Sequence, residues 1–122
     1  MKFENLIDLV QYFANEYCKP KFKVLIIGNT HFKEIFSFIN SEVFCVHLTP
    51  QPGVDFVVSD YSNLPFEQWS FDIVLNFTKS FDLFYLTNGP ILTVGEILNG
   101  TEYYYLTGNH QVIGNQIYTV LT

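Results

Sequence analysis

Two stretches of this chain put polar groups where a bound anion or nucleoside would need them. In KFKVLIIGNTHFKEIFSFI an apolar run ends at Gly28, Asn29 and Thr30 and restarts with helical spacing. A strand that feeds a helix through a glycine turn leaves backbone N–H groups facing outward, where they can hold an anionic ligand without a side-chain charge. In PGVDFVVSDYSNLPFEQWSFDIVLNF a β-rich run from Val54 to Ser59 ends in Asp60. The chain then passes through a polar turn to Leu64-Pro65-Phe66 and returns through Phe71-Asp72 into the apolar run Ile73 to Phe77. Two buried strands with an acidic residue at the first exit describe one edge of a nucleotide pocket, and Tyr61 beside Asp60 offers a stacking surface. The competing use of Asp60 is turn chemistry, because Ser59-Asp60-Tyr61-Ser62-Asn63 has the composition of a loop that satisfies its own backbone donors.

Other chemistries find no support. His31, His47 and His110 are scattered and have no Cys or His partner at metal-ligand spacing, so no metal is expected. There is no GxSxG elbow, no Walker motif and no Cys-His pairing with a local signature.

The elements that must position these groups follow from periodicity. Phe3, Leu6, Ile7, Val10, Phe13, Ala14 and Tyr17 recur at helical spacing, with Glu4, Asp8, Gln11, Asn15 and Glu16 on the other face. This helix stops before Lys19-Pro20, since proline disfavours helical geometry in the residue ahead of it. Phe22 to Ile27 is a continuous apolar run suited to a central parallel strand covered on both faces. The turn Gly28-Asn29-Thr30 launches a short helix that Asn29 or Thr30 can cap, and Val43 to Leu48 is the second strand, which completes a right-handed βαβ unit. The third strand, Asp55 to Ser59, follows after only Thr49-Pro50-Gln51-Pro52-Gly53. A parallel crossover normally takes a dozen or more residues, so either this loop crosses in extended form or the strand lies antiparallel at an edge. Beyond Phe77 the pattern predicts a partial helix over Lys79 to Thr87 and a break at Asn88-Gly89-Pro90. Pro90 then opens a helix that ends at Asn99-Gly100. A strand from Tyr103 to Thr107, a turn at Gly108-Asn109 and closing strand material from Gln111 to Leu121, bent at Gly114-Asn115, complete the reading.

With 122 residues the chain reads as a single domain: an N-terminal helix (1–18), a nucleotide-binding-type half (21–77) and a shortened C-terminal half (78–122). Thirteen Phe and eight Tyr exceed what so small an interior readily hides, so some aromatic surface is expected to meet a partner or a ligand. Six basic against twelve acidic residues give a net charge of −6, and that field repels a phosphate backbone. Direct nucleic-acid binding is not expected. No apolar run approaches the ~20 residues of a membrane span and no signal pattern opens the chain. With Cys18 and Cys45 read as reduced structural thiols, a cytoplasmic protein is expected. The sequons at Asn76-Phe77-Thr78 and Asn99-Gly100-Thr101 are read as chance matches.

On VLIIGNTHF and SDYSNLPFEQWSFDIVL the chain resembles class I S-adenosylmethionine-dependent methyltransferases. The first segment falls at that family's glycine-rich motif, and the second is similar to its "D-x-x-x-LPF … SFD-x-V" block. A fainter continuation, VGEILNGTEYYYL, falls where the family has a helix, a glycine turn and its fifth strand. The resemblance implies an α/β, Rossmann-like fold of methyltransferase type, truncated here, with a mostly parallel sheet, flanking helices and an extended second crossover. It also implies S-adenosylmethionine as cofactor, with Gly28, Asn29 and Thr30 at the turn, His47 at the ribose, Asp60 and Tyr61 at the adenine, and Asn76 at the exit of the fourth strand.

The departures from that family's pattern point the other way. Thr30 and Phe32 replace two small residues of the glycine motif, and Ile26 replaces a common acidic residue. His47 stands where an acidic residue accepts two ribose hydroxyl bonds, and Asn76-Phe77-Thr78-Lys79-Ser80 carries none of the family's catalytic groups. The expectation is a methyltransferase-like domain whose cofactor motifs have decayed, acting as an interaction or regulatory module; the alternative is an active methyltransferase on a small molecule or protein. Either would work as a homo-oligomer or with a protein partner, because Val54 to Val58 and Tyr103 to Tyr105 are left short of cover.

Overall fold

The computed structural model describes residues 3–62, 64–78, 84–94, 109–113 and 116–121. Its first element, helix α1 (Leu6–Tyr17), begins where the Asn5 side chain accepts a hydrogen bond from the Asp8 N–H at 2.9 Å, an N-cap that satisfies one of the free donors of the first turn. Its apolar stripe, Leu9, Val10, Phe13 and Ala14, is buried. The helix ends at Cys18, which turns extended two residues ahead of Pro20.

Strands β1 (Lys23–Ile27), β2 (Glu42–His47), β3 (Phe56–Val57), β4 (Ile73–Asn76), β5 (Ile91–Val94), β6 (Asn109–Ile113) and β7 (Gln116–Leu121) form one sheet in the order β3-β2-β1-β4-β5-β7-β6. The first five are parallel, and β7 runs antiparallel to both β5 and β6. The mostly parallel α/β sheet expected from the apolar runs is therefore present, and Val24 to Ile27 and Ile73 to Leu75 are fully covered on both faces.

One face carries α1 and the short helix α2 (Lys33–Ser37), with Phe13 and Phe36 packed over Val24, Ile26 and Leu75. Among the described residues the other face is covered by loops and a 3-10 turn. Leu64, Phe71 and Leu86 close over Leu25, Ile27 and Val74 there. This explains the LPF/SFD block physically. Phe66 and Phe71 meet edge to face with centroids 5.0 Å apart, and Phe56 and Phe44 complete the cluster. Asp72 then locks the start of β4 to β1, accepting from the Lys23 N–H and donating its own N–H to the Lys23 carbonyl, both at 2.8 Å.

The second crossover is extended and parallel, as the resemblance implies, although β3 is only two residues long. It is held by Asp55, whose Oδ2 accepts from the Cys45 N–H and pairs with Lys33.

Three expectations are corrected. The helix after Gly28 is not capped by Asn29 or Thr30; its N-cap is Phe32, with no side-chain bond, because Asn29 Oδ1 is taken by the His31 N–H at 2.7 Å. Pro90 opens a strand rather than a helix, since Ile91 to Val94 is β5 and the Pro90 carbonyl accepts from the Val74 N–H. Proline suits the first residue of a strand as well as of a helix, and the free side of β4 decides between them. The fifth strand therefore precedes the VGEILNGTEYYYL segment. Asn109 belongs to β6 instead of the turn before it. The closing hairpin over Gln111 to Leu121 is found as β6 and β7. Within Lys79 to Thr87 the described part is a 3-10 turn, Phe84–Leu86. The helix expected up to Asn99-Gly100 beyond Val94, the strand from Tyr103 to Thr107, and Gly114-Asn115 lie outside the described residues.

Candidate functional site

In a doubly wound sheet a ligand binds beyond the carboxyl ends of the strands, at the point where the strand order reverses. Here that point lies between β1 and β4: the chain leaves β1 toward β2 on one side and enters β4 on the other. Gly28, His47 and Asn76 sit at the carboxyl ends of the adjacent strands β1, β2 and β4, and Asp60 and Tyr61 follow β3 at the same edge. The residues singled out in the sequence are thus brought to one end of the sheet.

Gly28 has φ +82°, and its N–H donates to the Val46 carbonyl at 2.9 Å. The left-handed geometry requires glycine. It also requires it for space, since a Cβ at this position would lie 2.9 Å from Thr78 Cγ2. The exit of β4 therefore presses directly on the turn, and the Phe77 N–H is bonded to the Ile27 carbonyl at 2.9 Å. Phe32, 6% exposed, lies against Phe77 with ring centroids 5.4 Å apart, in the same cluster as Phe13 and Phe36.

The polar candidates are engaged within the protein. Asn76, buried, accepts from the Thr78 N–H at 2.9 Å and the Thr78 hydroxyl at 2.6 Å, and donates to the Thr93 hydroxyl at 3.3 Å. His47 Nδ1 accepts from the Thr49 N–H at 3.2 Å and lies 3.2 Å from Gln51 Nε2. Asp60 Oδ1 accepts from the Ser62 N–H at 2.9 Å, and this bond, with the Ser62 side chain, holds its carboxyl below the ordinary value. That is the Asx turn which its loop composition allowed. Tyr61 is half-buried in the loop-covered core; burial raises its pKa, and a hydrogen bond with the Leu48 backbone opposes the rise. Thr30 packs near Gly53, so the loops after β1 and β2 close on each other.

Two cavities are lined by described residues away from this edge. One of about 130 Å³ lies among Lys23, Phe44, Phe56, Ser70 and Phe71, and one of about 330 Å³ beside Glu34, Ser37 and Phe38. Among the described residues no cluster of three His, Cys, Asp or Glu side chains could hold a metal ion, and no helix is long and apolar enough to cross a membrane.

Residues that sequence reasoning passed over are Phe77, Thr78 and Asp55. The first two gain their importance from the β1–β4 register, Ile27 opposite Asn76, which no local pattern encodes. Asp55 was legible only as the first residue of the expected third strand.

No family model matches this chain, and no curated protein matches it.

Proposed function

We propose that this chain is a methyltransferase-like Rossmann domain whose S-adenosylmethionine site has decayed, and that it serves in the cytoplasm as a non-catalytic interaction or regulatory module. The observation that carries the reading is Phe32, buried against Phe77 where the family's glycine motif has a small residue. In a working pocket the small residues of this turn leave room for ligand, and a phenylalanine at one of those positions takes up that room. The surrounding polar groups support the same reading: His47, Asp60 and Asn76 each spend hydrogen-bonding capacity on a neighbour one or two residues away in a loop, or on the next strand. The methyltransferase-type ancestry is supported by the LPF/SFD block and by the sheet order. The order 3-2-1-4-5 is that of the doubly wound fold, and a reversed strand set beside the fifth fits the methyltransferase variant.

Calorimetry with S-adenosylmethionine and S-adenosylhomocysteine tests this. Neither should bind more tightly than roughly 100 μM, about 5.5 kcal/mol. Tighter binding that disappears in Asp60→Ala would replace this reading with the second one, an active methyltransferase on a small molecule or protein. That alternative draws on Gly28, whose positive φ is kept, and on Asp60 at the β3 exit.

The partner is a second copy or another protein. Val57 on the edge strand is 53% exposed, and Leu48, at the end of the neighbouring strand, is also exposed. Sedimentation at micromolar concentration should show a species larger than the monomer, or a partner should protect this edge from exchange. A well-behaved monomer whose β3 edge no partner protects would count against the module reading.

A further inference from the structure

We infer that the amino-terminal rim of the loop-covered sheet face is a binding site for a small aromatic monocarboxylate. This place lies a whole strand away from Gly28, about 16 Å along β1, and does not depend on the methyltransferase-like reading.

The cavity of about 130 Å³ there is lined by Phe44, Phe56 and Phe71, with Lys23 and Ser70 at its rim. Its rings are fixed. Phe44 meets Phe71 at 6.0 Å and Phe56 at 6.1 Å between centroids, and Phe66 braces Phe56 and Phe71 from behind at 5.2 and 5.0 Å. A preformed apolar hollow of roughly 150 Å³ accepts a benzene ring, so this one suits a single ring seated at an open mouth.

The rim decides what the ring carries. Among the described residues the only ion pair is Lys33–Asp55, so the Lys23 ammonium has no carboxylate within 4.0 Å among them. The nearest acid along the ladder, Asp72, takes the Lys23 backbone N–H at 2.8 Å. The Ser70 hydroxyl donates to the Glu67 carbonyl at 2.6 Å, so its proton is committed. An apolar hollow with one cationic residue in its lining selects an apolar body with one negative end. The rings alone would also attract an organic cation, and Lys23 opposes that. The net charge of −6 disfavours polyanions and leaves a monoanion as the best match.

The test is a two-dimensional NMR titration of the full chain with benzoate, benzyl alcohol and benzylamine. Benzoate should shift Lys23, Phe44 and Ser70 saturably, with a dissociation constant of about 1 mM, the scale for a ligand of this size. Lys23→Gln should weaken benzoate at least about fivefold and leave benzyl alcohol unchanged; the side chain is exposed, so the fold is retained. Phe44→Leu should weaken both. The absence of saturable shifts at these residues, benzylamine binding as tightly as benzoate, or a Lys23→Gln variant that binds benzoate like the parent would each overturn the assignment.

Discussion

The ring of Phe32 lies 5.4 Å from that of Phe77, joining the start of α2 to the residue after β4 across the Gly28 turn. Phe32 belongs to the same cluster as Phe13, Phe36 and Leu75, so its removal should cost what a core phenylalanine costs. Phe32→Ala is expected to lose about 3 kcal/mol or more in urea denaturation. A loss under about 1 kcal/mol would mean that the ring is surface and not core.

Gly28 carries a second prediction. Gly28→Ala meets two penalties, the left-handed φ of +82° and a 2.9 Å approach to Thr78 Cγ2. Together they should lower stability by about 1–3 kcal/mol. The two are separable. Adding Thr78→Ser removes the offending methyl and should recover the steric part alone, leaving the backbone part of about 1 kcal/mol. Full recovery in the double variant would show that the φ value carries no strain, and no recovery would show that the methyl contact carries none.

The strands were legible wherever burial on both faces forced a continuous apolar run, as in Val24 to Ile27, and α1 was legible from its 3.6-residue stripe. Pro90 was not, because its fixed φ serves a helix start and a strand start equally, and only the unpaired side of β4 distinguishes them. The site shows the same division. Gly28 announces itself by type, and Phe32 stands out as a large residue at a small-residue position of the motif. Phe77 and Thr78 owe their role to the strand register, and the engagement of Asn76 with Thr93 joins residues 17 apart. Asp60 remained ambiguous because a turn and an adenine contact ask for the same residue type; the Ser62 N–H resolves its local role.

Alkaline pH should expose the burial of Cys45. Desolvation pushes its thiol from the ordinary value of 9.0 to about 11, chiefly because the thiolate would lose its water. The unfolded chain therefore deprotonates first. Between pH 9 and 11 the folded state holds the extra proton, so stability is complete below pH 9 and falls as pH rises through that window. Two units correspond to roughly 2–3 kcal/mol once the window is crossed. Tyr17, Tyr61 and Tyr118 are also raised by burial and act in the same direction above pH 10, and burial raises the Cys18 thiol from the same ordinary value of 9.0, so the contribution of Cys45 is read as a difference between pH 9 and 10. Urea midpoints should decline there in the parent chain and less steeply in Cys45→Ala. Equal slopes would place the thiol in contact with water.

The closing of the second crossover rests on Asp55, and its two bonds are unequal. One oxygen, Oδ2, receives the Cys45 N–H at 2.8 Å and the Lys33 ammonium at 2.9 Å, while the Asp55 N–H returns to the Cys45 carbonyl at 2.9 Å. The Lys33–Asp55 pair is about one-third exposed on both sides, where water screens an ion pair to a few tenths of a kcal/mol. The Cys45 N–H belongs to a fully buried residue inside β2 and has no water to turn to. Losing its acceptor costs about 1–3 kcal/mol. Lys33→Met should therefore change the urea midpoint little. Asp55→Ala should cost several times more, and Asp55→Asn, which keeps a carbonyl oxygen for the same N–H, should fall between them. Hydrogen exchange gives an independent check: the Cys45 amide should lose protection in Asp55→Ala and keep it in Lys33→Met. If Lys33→Met proves as damaging as Asp55→Ala, the crossover is held by charge and not by the backbone bond.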